Sequence, residues 1–83
     1  MSDHDTYVIR SSPAGWSLLL NGQEICLFHQ RDEAENAARM GFEISHQNHR
    51  PVQMLVQDAS GTIQLIARTR IGLGGELELE KPS

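Results

Sequence analysis

Residues 16–28 read WSLLLNGQEICLF, and residues 29–45 continue HQRDEAENAARMGFEIS. The first part is two apolar runs divided by Asn21-Gly22. That dipeptide between apolar runs marks a β-hairpin, because both central residues of the favoured tight turn must take φ > 0. A two-residue loop pairs Leu20 with Gln23, Leu18 with Ile25 and Trp16 with Leu27. Alternation along each arm then sorts the side chains. Trp16, Leu18, Leu20, Ile25 and Leu27 share one face, while Leu19, Cys26 and Phe28 share the other with Ser17 and Glu24.

Beyond Phe28 the period changes from two residues to about 3.6, the mark of an amphipathic helix. Ala34, Ala37, Ala38, Gly41, Ile44 and Ser45 fall on one stripe, with Phe42 on its border. Small side chains there let the helix axis lie close to a sheet. Gln30 or Asp32 is placed to cap the helix, and Asp32, Glu33 and Glu35 lie near its positive end. Gly41 permits a stop, but the stripe continues through Ser45 and predicts a helix to about Asn48. Pro51 ends it and drives Arg50 towards extended geometry.

Working outward, Tyr7-Val8-Ile9 reads as a first strand, and Ser11-Ser12-Pro13-Ala14-Gly15 as a turn. Val52–Gln57 and Thr62–Arg68 read as two more strands around the turn Asp58-Ala59-Ser60-Gly61. After the glycines of Ile71-Gly72-Leu73-Gly74-Gly75, acid and leucine alternate through Glu76, Leu77, Glu78, Leu79 and Glu80. The expected fold class is therefore α+β: a mainly antiparallel sheet of about five strands with one helix across one face. The order is β-β-β-α-β-β, with the tail as a sixth strand in prospect. Residues 1–5 are expected to fray, 6–70 to form a single domain, and 71–83 to form a glycine-hinged acidic and leucine-rich tail.

Gly15-Trp16 with Leu18, Phe28 followed by Asp32-Glu33-Ala34 and Ala37-Ala38, and Val52 leading to Gly61-Thr62-Ile63 form a recognisable arrangement. It resembles the small bacterial and archaeal proteins grouped as domain of unknown function 2188. The likeness covers about residues 7–68 and implies that family's α+β fold. Its motifs are fold motifs, so it implies no activity, cofactor or catalytic residue. The chain departs from the pattern at Gln30, where the family carries threonine or serine, in a longer helix-to-turn interval, and in its additional tail.

Composition limits the function classes. The chain has 83 residues, 39 % hydrophobic and 22 % charged, with a formal net charge of −4. A chain of this size buries only roughly 60–65 % of its unfolded surface, so a deep pocket is not expected. The negative charge argues against a phosphate-backbone binder. A single cysteine, Cys26, forms no intrachain disulfide. The opening MSDHDTYVIR lacks a secretion-signal pattern, and no apolar run approaches a membrane span. A cytoplasmic protein, bacterial in style, is expected, with no membrane partner.

Cys26 and His29, with His46 and His49, make a C-x-x-H…H-x-x-H pattern that invites a metal reading. Residues three apart in a strand point to opposite faces, however, so Cys26 and His29 do not converge. His46 and His49 fit a helix C-terminus, where histidine favours the negative dipole end. No metal or cofactor is expected. Cys26 lies between Ile25 and Leu27 and reads as a small hydrophobe rather than a nucleophile. No phosphate-binding loop or nucleophile elbow occurs, so no catalytic residue is assigned. Arg31, Arg39, Arg50, Arg68 and Arg70, with Trp16, Tyr7 and Phe28, support a weak nucleic-acid reading as an alternative. The arginines interleave with acids as on a solvated helix face. A small metal protein or enzyme is a second alternative.

The most specific expectation concerns surplus apolar surface. One helix covers one sheet face, yet both hairpin faces carry large apolar groups. An uncovered apolar patch marks a partner surface. The expected function is a small binding or regulatory module that self-associates, as a homodimer, or adds a strand to another protein. The residues expected at that contact are Trp16, Leu18, Leu19, Leu20, Phe28, Leu77 and Leu79.

Overall fold

A computed structural model describes residues 4–71, 74–75 and 77–80, with backbone only at 70, 71 and 77. The chain runs β1 (Asp5–Ser12), β2 (Gly15–Leu20), β3 (Gln23–Phe28), α1 (Arg31–Gln47), β4 (Val52–Gln57), β5 (Ile63–Ile71) and β6 (Leu77–Glu80). The strands form one six-stranded sheet in the order β3-β2-β1-β4-β5-β6. Neighbours are antiparallel except β1 and β4, which are parallel. The α+β class, the single helix and the C-terminal strand are as expected. The expected tail is thus, at Leu77–Glu80, an edge strand paired with β5 of its own chain. At the other end β1 begins at Asp5, so that residue belongs to the sheet and not to a frayed terminus.

The parallel pair explains where the helix lies. β3 sits at one sheet edge and β4 beside β1 in the middle, so α1 must cross β2 and β1 to join them. Parallel strands require a crossover of this kind. The helix accordingly packs on β1, β4, β2 and β3. β5 and β6 fold outward as hairpins beyond it.

Asn21 and Gly22 take φ of 53° and 87°, as the expected hairpin turn demands. The pairing then departs from simple alternation. Leu20 faces Gln23 and Leu19 faces Glu24, but Leu18 faces Cys26 and Trp16 faces Phe28. Ile25 is the extra residue of a β-bulge. The expected pairs Leu18–Ile25 and Trp16–Leu27 do not form, because one inserted residue exchanges the faces of everything after it. Phe28 joins Trp16, Leu18 and Leu20 on the helix side, and Leu27 moves to the other.

The core lies between helix and sheet. Ile9 is 0 % and Met54 2 % exposed, surrounded by Tyr7, Leu18, Ala34, Ala38, Phe42, Val52, Val56 and Ala67. Trp16, Leu20 and Phe28 close its margin. Ala34, Ala38, Phe42 and Ser45 form the buried side of the helix. Ile44, expected on that stripe, is exposed. At 100° per residue it falls beyond one margin while Phe42 fills the other. Gly41 lies over Tyr7, and a Cβ there would stand 2.5 Å from the phenolic oxygen. Small residues do bring the helix close, as the stripe predicts.

The helix starts without a side-chain cap at Gln30. It ends in a Schellman motif: His49 N–H donates to the His46 carbonyl (3.0 Å) and Arg50 N–H to the Ser45 carbonyl (2.9 Å). His49 occupies the left-handed position at φ 58°, where glycine is usual. Asp5 then ties this end to the sheet. Its carboxylate accepts from Arg50 Nε (3.1 Å) and Nη2 (3.0 Å), Ser45 Oγ (2.8 Å) and Asn21 Nδ2 (3.5 Å). One side chain thereby joins β1, the β2–β3 turn, the helix end and the approach to β4. The Arg50 hydrogen bonds foremost, then those from Ser45 and Asn21, hold the Asp5 carboxyl below its ordinary 3.8 against the opposing effect of burial.

Candidate functional site

Among the described residues, no element covers the sheet face opposite the helix, here called the open face. β1 sends Tyr7 and Ile9 to the core, so Val8 points the other way, as does Leu55 between buried Met54 and Val56. Val8 is paired with Leu19 on β2 and with Leu55 on β4, and Leu55 with Leu65 on β5. Leu19, Val8, Leu55 and Leu65 therefore form one apolar row across the four inner strands. A second bulge, at Ile66, keeps that row in line. Leu65 stays on the open face while Ile66 and Ala67 both turn to the core side, a local effect of the extra residue.

Two rows flank it. On one side run Leu27, Ser17, Arg10, Gln57 and Ile63; on the other Thr6, Gln53, Arg68 and Glu80. Leu27 and Ile63, at the ends of the first of these, are 48 % and 61 % exposed. Val8, Leu55 and Leu65 are half-buried, and Leu19 is buried between its neighbours. Three polar pairs on this face are satisfied sideways. Ser17 Oγ donates to Glu24 (2.5 Å), Gln53 Nε2 to Thr6 Oγ1 (3.2 Å), and Arg68 Nη2 pairs with Glu80 (3.0 Å). Covering these pairs does not strand them, and stranded hydrogen-bonding groups are the main cost of desolvating a polar surface.

A second concavity lies on the helix side, where α1 leaves β5 and β6 uncovered. Phe42, Met54, Ile66, Ala67 and Leu79 floor a groove of about 570 Å³, and Arg39, Glu43 and His46 form its helical wall. Leu79 is 49 % exposed.

The residues expected at a contact surface thus divide. Trp16, Leu18, Leu20 and Phe28 face the helix and are consumed by the core, with Arg31 stacked 5.8 Å from the Trp16 ring centre. Leu19 alone of the hairpin set lies on the open face. Leu79 borders the groove, and the side chain of Leu77 lies outside the described residues. The expectation missed Val8, Leu55, Leu65 and Leu27. Val8 and Leu55 were visible as apolar residues at the off-phase positions of strands whose in-phase positions already supply a core. Leu27 was grouped with Trp16 and Leu18 because the bulge leaves no mark in the local pattern.

The other chemistry-bearing residues are dispersed. His29 precedes the helix and His46 follows seventeen residues later in its last turn, about 25 Å away at 1.5 Å per residue. Cys26 is exposed on the edge strand, and His49 shapes the helix end. Among the described residues no group of three or more histidine, cysteine or carboxylate side chains is placed to hold a metal. Arg31, Arg50 and Arg68 are paired with Glu35, Asp5 and Glu80. Asp58 is committed to its turn: hydrogen bonds from Ser60 above all, and from Thr62 and Gly61, hold its carboxyl low. Among the described residues no helix is long and apolar enough to cross a membrane. Comparison with protein-family models, with curated proteins and with solved structures finds no match for this chain.

Proposed function

We propose that this chain is a small, non-catalytic cytosolic binding module whose working surface is the open face of the sheet. The observation that carries the proposal is the row Leu19–Val8–Leu55–Leu65, with Leu27 and Ile63 exposed around it. Apolar side chains at these positions do nothing for the helix-side core. Contiguous exposed apolar surface on a soluble protein marks a place where another surface docks. The laterally paired polar groups make the face inexpensive to dehydrate, and a flat sheet suits a protein partner better than a small molecule. The edge strand β3 is less suited to strand addition, since the bulge at Ile25 interrupts its ladder.

Site-specific photo-cross-linking tests the proposal. A photoreactive residue replacing Val8 or Leu65 in the native host is expected to capture protein, whereas one replacing Met40, exposed on the outer side of the helix, is not. Equal capture at all three positions, or none at Val8 and Leu65, would overturn it.

A further inference from the structure

We infer that the open face is covered by a second copy of the same chain, packed sheet against sheet about a twofold axis along the strands at the β1–β4 boundary. This rests on the docking proposal and names its partner. The sheet is symmetric about that boundary in the relevant respect: β1 and β4 are parallel and in register, with β2 outside one and β5 outside the other. The four apolar residues lie at one level, two on each side. Rotation about the axis sets Val8 over Leu55 of the partner subunit and Leu19 over Leu65 of the partner subunit. Apolar therefore meets apolar along the whole row, and the polar flanking rows meet at the rim. Isologous interfaces require such self-complementarity.

Charge favours the same partner. The chain carries a formal net charge of −4, and two such chains repel. The three rows of the open face, however, hold Arg10 and Arg68 against Glu24 and Glu80, two charges of each sign. The face is neutral where the rest of the molecule is acidic, so two copies approach through it without concentrating like charge. A strongly charged partner would find no complement there. The size also fits. Rows of about five strands at ~4.8 Å spacing, three rows deep at ~6.8 Å each, give a face of about 24 by 20 Å before side-chain relief. That planar area, about 480 Å² per partner, lies below the roughly 800 Å² of a standard interface and suits a weak, concentration-dependent dimer. Sheets packed in this way align within about 30° of each other, as in a β-sandwich.

Sedimentation equilibrium of the full chain, from about 1 to 300 µM, tests this. The mass is expected to rise from 9.3 kDa to twice that value. Val8→Lys and Leu55→Lys each place an ammonium in the centre of the interface and are expected to weaken the dimer at least 100-fold. Met40→Lys, on the helix exterior, is expected to leave it unchanged. Circular dichroism checks folding; should a lysine variant fail to fold, Val8→Thr, nearly isosteric, is expected to weaken the dimer about tenfold. A chain that remains monomeric at 300 µM, or a dimer that tolerates the face substitutions, overturns the inference. If the chain is monomeric but Val8 cross-links to a different protein in cells, the second-copy assignment fails and the docking proposal stands. If neither dimer nor cross-link appears, both fail.

Discussion

Val8 and Ile9 are neighbours of nearly the same size and shape in one strand, yet they belong to different environments. Ile9 points under the helix and is fully buried; Val8 points into the open row and is half-exposed. The same contrast runs between Met54 and Leu55 on β4 and between Leu18 and Leu19 on β2. On the covered side, apolar residues are matched by a helix brought close by Ala34, Ala38 and Gly41. On the open side, an equally apolar row has no element of the described residues above it. The two faces show that apolar content alone does not distinguish a core from an interface. What distinguishes them is whether the chain supplies a cover.

Side-by-side truncation is the sharpest way to break this comparison. Ile9→Ala leaves a cavity in a packed core and is expected to cost about 3–4 kcal/mol in urea unfolding. Val8→Ala, one residue away and measured at concentrations below dimerisation, is expected to cost about 1 kcal/mol or less. Equal costs would mean that the open face is not open.

Asp5 fastens the end of the cover. Asp5→Asn keeps the shape but loses the charge-assisted hydrogen bonds with Arg50, and is expected to destabilise by about 2 kcal/mol. The pH dependence carries a sign. Because the folded carboxyl titrates below 3.8, its contribution is fully present above that value and is lost as pH falls through the lower, folded pKa. Acid unfolding of the wild type should therefore show a loss below pH 3.8 that Asp5→Asn lacks. Parallel acid-unfolding curves would remove Asp5 from this role.

The closeness of helix and sheet is tested at Gly41. Alanine improves helix propensity by about 1 kcal/mol, but its methyl group would meet the buried Tyr7 ring, with overpacking costs of about 1–3 kcal/mol. A net loss of about 1 kcal/mol is expected from thermal unfolding. A gain in stability would show that the helix stands farther from the sheet.

The smallest expected effect sharpens the edge of the comparison. Deleting Ile25 removes the bulge while leaving Leu18 opposite Cys26 and Trp16 opposite Phe28. The core is kept, and a change below about 1 kcal/mol is expected. With unbroken alternation the same deletion would turn Phe28 away from the core and cost about 3 kcal/mol, which chemical denaturation distinguishes.

Much of the fold was legible from residue order. The Asn-Gly turn, the shift from two-residue to helical spacing after Phe28, the stripe of small residues and the two later strands all rest on local chemistry. Backbone conformation and side-chain periodicity are short-range properties. The site was less legible. Trp16, Leu18, Leu20 and Phe28 of the expected set are taken by the thin core, so on the hairpin only Leu19 of that set remains on the open face. The rest of the row, Val8, Leu55 and Leu65, comes from strands outside the hairpin.

Local sequence by itself determined which segments are extended, which is helical and where the chain turns, because those preferences are settled within a few residues. Only the tertiary structure decided which face each side chain takes and which face remains bare. Both depend on pairings between strands far apart in the chain: the bulges at Ile25 and Ile66, and the parallel seam between β1 and β4 that draws the helix over one side. Those pairings are selected by the packing of the whole sheet, and no short stretch of residues encodes them.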